Sequence, residues 1–141
     1  MNRKIFMELM LAYSAHAKKS NSYYQTLDLT TGQPKVLYIL KCKEGYMQKE
    51  LAQICKVEPP SMTVLLKNME KKGLIRREKV LVSGGKRAFQ IYLTEKGREM
   101  ADKVYDHVEE LEGISFRGFS AEERLTLFDL LGRVTKNLSE E

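Results

Sequence analysis

Only two cysteines, two histidines and three prolines occur among the 141 residues, and no apolar run reaches the ~18 residues of a membrane span. A membrane partner is therefore not expected. Cys42 and Cys55 are too few for a disulfide framework and lack a CxxC or a partnered metal-ligand spacing. Both fall in helical patterns and read as small buried apolar residues, although Lys41 and Lys43 flank Cys42 and leave a reactive thiol open as an alternative. His16 and His107 have no second His or Cys at i+3 or i+4, so each reads as a surface or packing residue and no metal is expected. Nucleophile motifs, phosphate-cradling glycine loops and acid/base carboxylate pairs are also missing. An enzyme is not expected, nor a cofactor.

What is present is a divided charge. The chain carries +5 in total, with 43% apolar and 30% charged residues, values ordinary for a soluble globular domain. From Met1 to Pro34 the net charge is +2, from Lys35 to Arg98 it is +9, and from Glu99 to Glu141 it is −6. A basic centre beside an acidic end points to a polyanion partner for the centre alone. The N-terminus imitates a signal peptide, with Arg3 and Lys4 before an apolar stretch and Ala15-His16-Ala17 as a mock cleavage site. Glu8 interrupts that stretch, and Phe6, Met10, Tyr13, Ala17, Ser20, Tyr24 and Leu27 continue a helical stripe past it. A structural helix and a cytoplasmic protein are expected.

Along the chain, Thr30 and Gln33 form a capping box with Pro34 in the first turn, opening a helix that ends near Cys42 to Glu44, before Gly45. A two-turn helix follows over Gln48 to Cys55, with Met47 as a poor cap. Pro59 and Pro60 start a third helix after Glu58, running to Lys72 with Met62, Leu65, Leu66 and Met69 buried and Gly73 as a left-handed C-cap. Two short helices joined by a tight turn, the second amphipathic and basic, make a helix-turn-helix. Apolar residues at Leu74-Ile75 and Val80 to Val82, then Ser83-Gly84-Gly85-Lys86, then alternation through Phe89, Ile91 and Leu93 predict a hairpin, or wing, with Lys86 and Arg87 at its tip. Thr94 caps a helix over Glu95 to Glu112, Gly113 to Phe119 is a break, and a Ser120/Glu123 capping box opens a last helix striped by Leu127, Leu131, Val134 and Leu138. The terminal helices carry more apolar stripe than one small module needs, which predicts dimerisation.

In sequence order, Leu29-Thr30 with Gln33 and Leu37, Glu50-Leu51-Ala52, Pro59 to Thr63, Glu70 to Ile75, Arg77, and Leu93 to Gly97 resemble the MarR (multiple antibiotic resistance regulator) family of winged-helix transcription factors. The resemblance covers almost the whole chain. It implies a mainly α (α+β) fold, a single domain over 1–141 with a winged helix-turn-helix lobe at 30–98 and dimerisation helices at 1–29 and 99–141. It also implies a cytoplasmic homodimer on double-stranded DNA, acting as a repressor of a pseudo-palindromic operator and released by a small aromatic, phenolic or lipophilic ligand. Alternatives are a thiol-based redox-sensing regulator and a winged-helix protein-interaction module. Three departures from the family pattern are Met47 in place of a Thr or Ser cap, which loosens that helix start, Val64 where Arg is frequent, and Gly85 where the wing has Asp. The last removes a salt bridge that would orient Arg87 and predicts a floppier wing.

On a helical wheel the outer face of the third helix is Pro60, Val64, Lys67 and Lys71, flanked by Ser61, Thr63 and Asn68. Ser61 and Thr63 suit phosphates near the helix N-terminus, Val64 a thymine methyl, Asn68 an adenine edge, and Lys67 and Lys71 phosphates or guanine. Arg77 joins the DNA set from the family pattern, and Lys86 and Arg87 are placed at the minor groove. Met10, Tyr13, His16, Tyr24 and Tyr38 are the candidate liners of an effector cleft.

Overall fold

The computed structural model describes residues 2–140 as two compact units, one running through Val108 and the other from Glu109 onward. Ala101 and Val104 are fully buried with the core of the first unit, so the opening turns of the helix after the wing belong to the winged lobe. The mainly helical winged-helix architecture is as expected, and no described helix is long and apolar enough to cross a membrane.

In the first unit, α1 (Ile5–Thr26) precedes α2 (Gln33–Cys42), β1 (Tyr46–Met47), α3 (Gln48–Cys55), α4 (Pro59–Lys71), β2 (Ile75–Val82) and β3 (Lys86–Leu93). The sheet is antiparallel in the order β1-β3-β2, the wing register running from Ile75 opposite Leu93 to Val82 opposite Lys86. One face of it is apolar at the base of the wing. Ile75, Ile91 and Leu93 join Leu37, Leu40, Leu51, Met62, Leu66 and Met69 in a closed core, which holds α2, α3 and α4 against the base of the wing.

The helix starts differ from expectation in two places. The N-cap of α2 is Gly32 at φ +92°, not Thr30, and only half the capping box forms: Thr30 N–H donates to Gln33 Oε1 at 3.1 Å. Gln33 is buried and its amide oxygen is satisfied there, since it also receives Lys72 Nζ at 3.0 Å, an ammonium that reaches the Asp28 carbonyl as well. The start of α3 is well held despite Met47. Glu50 Oε1 accepts the Met47 N–H at 2.9 Å, and β1, a strand too short to read from the sequence, pairs Tyr46 with Ile91 and Met47 with Gln90. Strand pairing replaces the missing hydroxyl cap.

Gly73 takes φ +74° after α4 as expected of a C-cap. Thr94 then accepts the Gly97 N–H at 3.0 Å and donates to the Gly73 carbonyl at 2.5 Å, so the cap of the next helix, α5 (Glu95–Ser115), is pinned to the end of α4. The helix runs through Gly113, three residues past its expected end, because one glycine costs a helix only about 1 kcal/mol. The break is correspondingly short. In the second unit, α6 (Ala121–Ser139) opens on the expected capping box, with Ser120 N–H to Glu123 Oε1 at 2.8 Å and Glu123 N–H to Ser120 Oγ at 3.1 Å.

Candidate nucleic-acid interface

The buried stripe of α4 dictates its opposite face. Met62, Leu66 and Met69 are wholly buried and Leu65 half-buried, so Ser61, Val64, Lys67, Asn68 and Lys71 are turned outward and exposed, Val64 by 59%. All five lie on one convex helix face, as the wheel predicts. Pro59 and Pro60 leave Ser61 as the first residue of the helix with a backbone amide to offer.

Thr63 and Arg77 are used differently. The Thr63 hydroxyl donates to the Pro59 carbonyl at 3.1 Å and accepts Gln48 Nε2 at 2.9 Å, tying the start of α3 to α4. Arg77 makes a two-pronged pair with Glu70, at 3.1 and 3.4 Å, and its guanidinium lies 4.8 Å from the centre of the Phe89 ring. Its side chain is only 18% exposed. Arg77 therefore braces the wing against α4 rather than reaching outward, because a carboxylate seven residues earlier returns beside it when the chain reverses at Gly73. Spacing alone did not reveal Gln48 or Glu70 as positioning residues, since both partners are distant in sequence.

At the tip of the wing Gly84 and Gly85 adopt φ +81° and +72°, and Lys86 and Arg87 are exposed. Lys86 pairs across from Val82 and Arg87 across from Leu81, so the two cations project from opposite faces of the hairpin. No ion pair to Arg87 forms among the described residues, in line with the glycine at 85. Lys79, exposed on the same face as Arg87, adds a cation that the sequence reading missed although it stands in the middle of the strand.

Beside α1, a cleft of about 590 Å³ is lined by Tyr13, His16, Tyr24 and Tyr38, four of the five expected residues, together with Lys35 and Val104 among others. Met10, one turn further toward the N-terminus, lies outside that lining. The Tyr38 ring is stacked on Tyr105 at 5.8 Å, and Tyr24 meets His107 edge-on at 5.2 Å. Burial, and next to it the neighbouring Tyr23, raises the Tyr24 phenol above its ordinary value.

The cysteines do not behave as a pair. Cys55 is buried, and burial raises its thiol despite the opposing charge of Lys35. Cys42 is exposed, contrary to expectation, because it ends α2 on the side away from the Leu37 and Leu40 stripe. Its flanking lysines are engaged elsewhere. Lys41 Nζ sits 2.6 Å from Asp102 Oδ1, a hydrogen bond and opposite charge that raise the lysine, and Lys43 lies 5.1 Å from the centre of the Tyr46 ring.

A helix-turn-helix with an exposed basic recognition face, followed by a cationic β-hairpin, is an architecture for reading duplex DNA. The MarR family model matches residues 29–80. The HTH-type transcriptional regulator YybA of Bacillus subtilis (strain 168) is 30% identical over 139 residues, 97% of this chain and 90% of the relative. This chain belongs to the MarR family. Among solved structures, the transcriptional regulator SlyA aligns at a TM-score of 0.85 with 28% identity, over 97% of this chain and 95% of that one. A MarR family regulator from Listeria monocytogenes, complexed with 26mer DNA, aligns at 0.83 with 25% identity, over 97% and 90%. The protein is thus a MarR-family, DNA-binding transcriptional regulator, from a family of regulators rather than enzymes.

Proposed function

We propose that this MarR regulator is a repressor that binds a pseudo-palindromic operator as a homodimer and is released by a small aromatic or lipophilic ligand. The observation that carries the DNA part is the single outward face of α4, on which Ser61, Val64, Asn68, Lys67 and Lys71 converge within the +9 segment of the chain. Val64 offers a methyl contact, Asn68 an amide with donor and acceptor for adenine, and the two lysines charge for phosphate or guanine. Lys86 and Arg87 add a second cationic contact suited to the minor groove.

Dimerisation is supported by apolar surface that the single chain leaves uncovered. In α1, Phe6 and Tyr13 are more than 70% exposed, and in α6 Leu125, Phe128, Leu131 and Leu138 are exposed along the helix. A twofold partner would bury these stripes and set two α4 helices about one duplex turn, ~34 Å, apart. The cleft lined by Tyr13, His16, Tyr24 and Tyr38 has the apolar walls and polar tips of a phenol-sized site, and a ligand there would act by favouring one spacing of the recognition helices.

The deciding experiment is a mobility-shift titration on the DNA upstream of the protein's own gene, repeated across salt concentrations. Several phosphate contacts per dimer demand a steep fall of affinity with salt, the log–log slope growing by about 0.9 per phosphate. A shift without salt dependence, or none, turns the reading toward a protein-interaction module. Isothermal titration against phenolic compounds tests the cleft, and no heat across the panel removes the ligand reading.

A further inference from the structure

We infer that Leu81 contacts DNA directly, seating beside Arg87 in the minor groove as an apolar wedge against sugar and base edges. This rests on the DNA-binding reading above. At 78%, Leu81 is the most exposed large apolar side chain among the described residues, and it lies at the wing tip two residues before the Ser83-Gly84-Gly85 turn. Its cross-strand partner is Arg87, and directly opposed residues of an antiparallel pair share a face. Followed inward, that face carries Lys79 and Phe89, then Arg77 and Ile91, then Ile75 and Leu93 in the core. Leu81 is therefore held on the side of the hairpin whose base is packed and braced to α4, the helix that presents the base-reading face.

A single exposed leucine on a convex surface needs no explanation. This one is flanked by two cations on its own face, Arg87 opposite it and Lys79 two residues before it. That pair disfavours an apolar protein patch as occupant, because docking one would strip water from two cations without pairing them. It suits a polyanion whose phosphate walls flank an apolar floor. The minor groove has that layout, and proteins that enter it pair arginine or lysine with an inserted aliphatic side chain. Arg87 makes no ion pair among the described residues, and its strand directs it alongside Leu81.

The test uses the duplex most enriched from a random-sequence pool by the unaltered protein, with binding followed by fluorescence anisotropy over a range of salt. Leu81→Ala is expected to weaken binding by roughly tenfold, the loss of a buried aliphatic contact, with the salt slope unchanged. Leu81→Met, which keeps an apolar side chain of similar size, should bind like the parent, whereas Arg87→Ala should flatten the slope by about one. Thermal unfolding of each variant is expected to match the parent, since Leu81 is exposed in the folded chain. The inference is overturned if Leu81→Ala binds within about twofold of the parent, the range of an inert surface change. It also fails if Leu81→Ala flattens the salt slope, or if Leu81→Met is as weak as Leu81→Ala. A pool in which the unaltered protein enriches no duplex brings down the DNA-binding reading itself, and this inference with it.

Discussion

Gly97 lies in the first turn of α5, where that helix crosses the start of the wing, and it is the position at which one added methyl should do most damage. A Cβ there would stand 1.8 Å from the Leu74 carbonyl oxygen, 2.8 Å from its carbonyl carbon and 3.3 Å from its Cα. All three are backbone atoms, so no side chain can turn aside. Carbon and oxygen normally approach no closer than about 3.3 Å, and relief requires the two segments to part by well over 1 Å. The same Leu74 oxygen accepts the Thr94 N–H at 3.1 Å, and the Thr94 hydroxyl reaches the Gly73 carbonyl at 2.5 Å. Parting the segments loses these two bonds, about 1 kcal/mol each, and overpacking strain adds about 1–3 kcal/mol. Gly97→Ala should thus cost about 3–5 kcal/mol, a large share of the 5–15 kcal/mol typical of a domain. The assay is urea unfolding followed by circular dichroism at one fixed protein concentration, because self-association would make the midpoint depend on concentration. Gly113→Ala, in the same helix with nothing within 4 Å of the added carbon, is the control and should gain up to about 1 kcal/mol from helix propensity. If Gly97→Ala unfolds at the parent's midpoint, or shifts in the same direction as Gly113→Ala, the close approach of α5 to Leu74 is wrong.

Further outcomes follow from single groups. Ser120→Ala removes the oxygen that accepts the Glu123 N–H and should destabilise by about 1 kcal/mol, with faster amide exchange at Glu123, while Ser120→Asp keeps the cap. A colorimetric disulfide reagent at neutral pH should label exposed Cys42 quickly and buried Cys55, with its raised thiol, slowly. Equal rates would contradict the burial of Cys55, and Cys42→Ser should abolish the fast phase alone. The raised Tyr24 phenol means the fold favours its neutral form. Its contribution is complete below the ordinary value of 10.0 and is lost as pH climbs through the raised folded value. Thermal midpoints of the parent should therefore drop more steeply above pH 10 than those of Tyr24→Phe, and identical profiles would refute the burial of that hydroxyl.

Local signals were legible wherever the physics is local. The Ser120/Glu123 box, the paired prolines opening α4, Gly73 at its end and the alternation through Phe89, Ile91 and Leu93 each involve residues within a few positions of one another. The outer face of α4 followed from the same periodicity, since burying Met62, Leu66 and Met69 leaves Val64, Lys67 and Lys71 no other side. Reading failed where a partner outside the local pattern takes up a side chain, as Gln48 does with Thr63 and Glu70 with Arg77. Two local details also differed: Thr30 yielded the cap position to Gly32, and Cys42 ends α2 on the side away from Leu37 and Leu40.

Taken alone, the amino-acid order determined the succession of helices and the two wing strands, the family resemblance, the basic centre and the outer face of α4, because hydrophobic period and capping chemistry act over one or two turns. Only the tertiary structure decided how those parts are braced. It returned Arg77 to Glu70 and Phe89 across the reversal at Gly73, joined Gln48 to Thr63, and paired a two-residue strand with β3 to hold α3. It also set Leu81 beside Arg87 on one face of the wing. Each of these depends on segments meeting through chain reversals and a shared core, and no short-range pattern in the sequence encodes which side chains will face one another there.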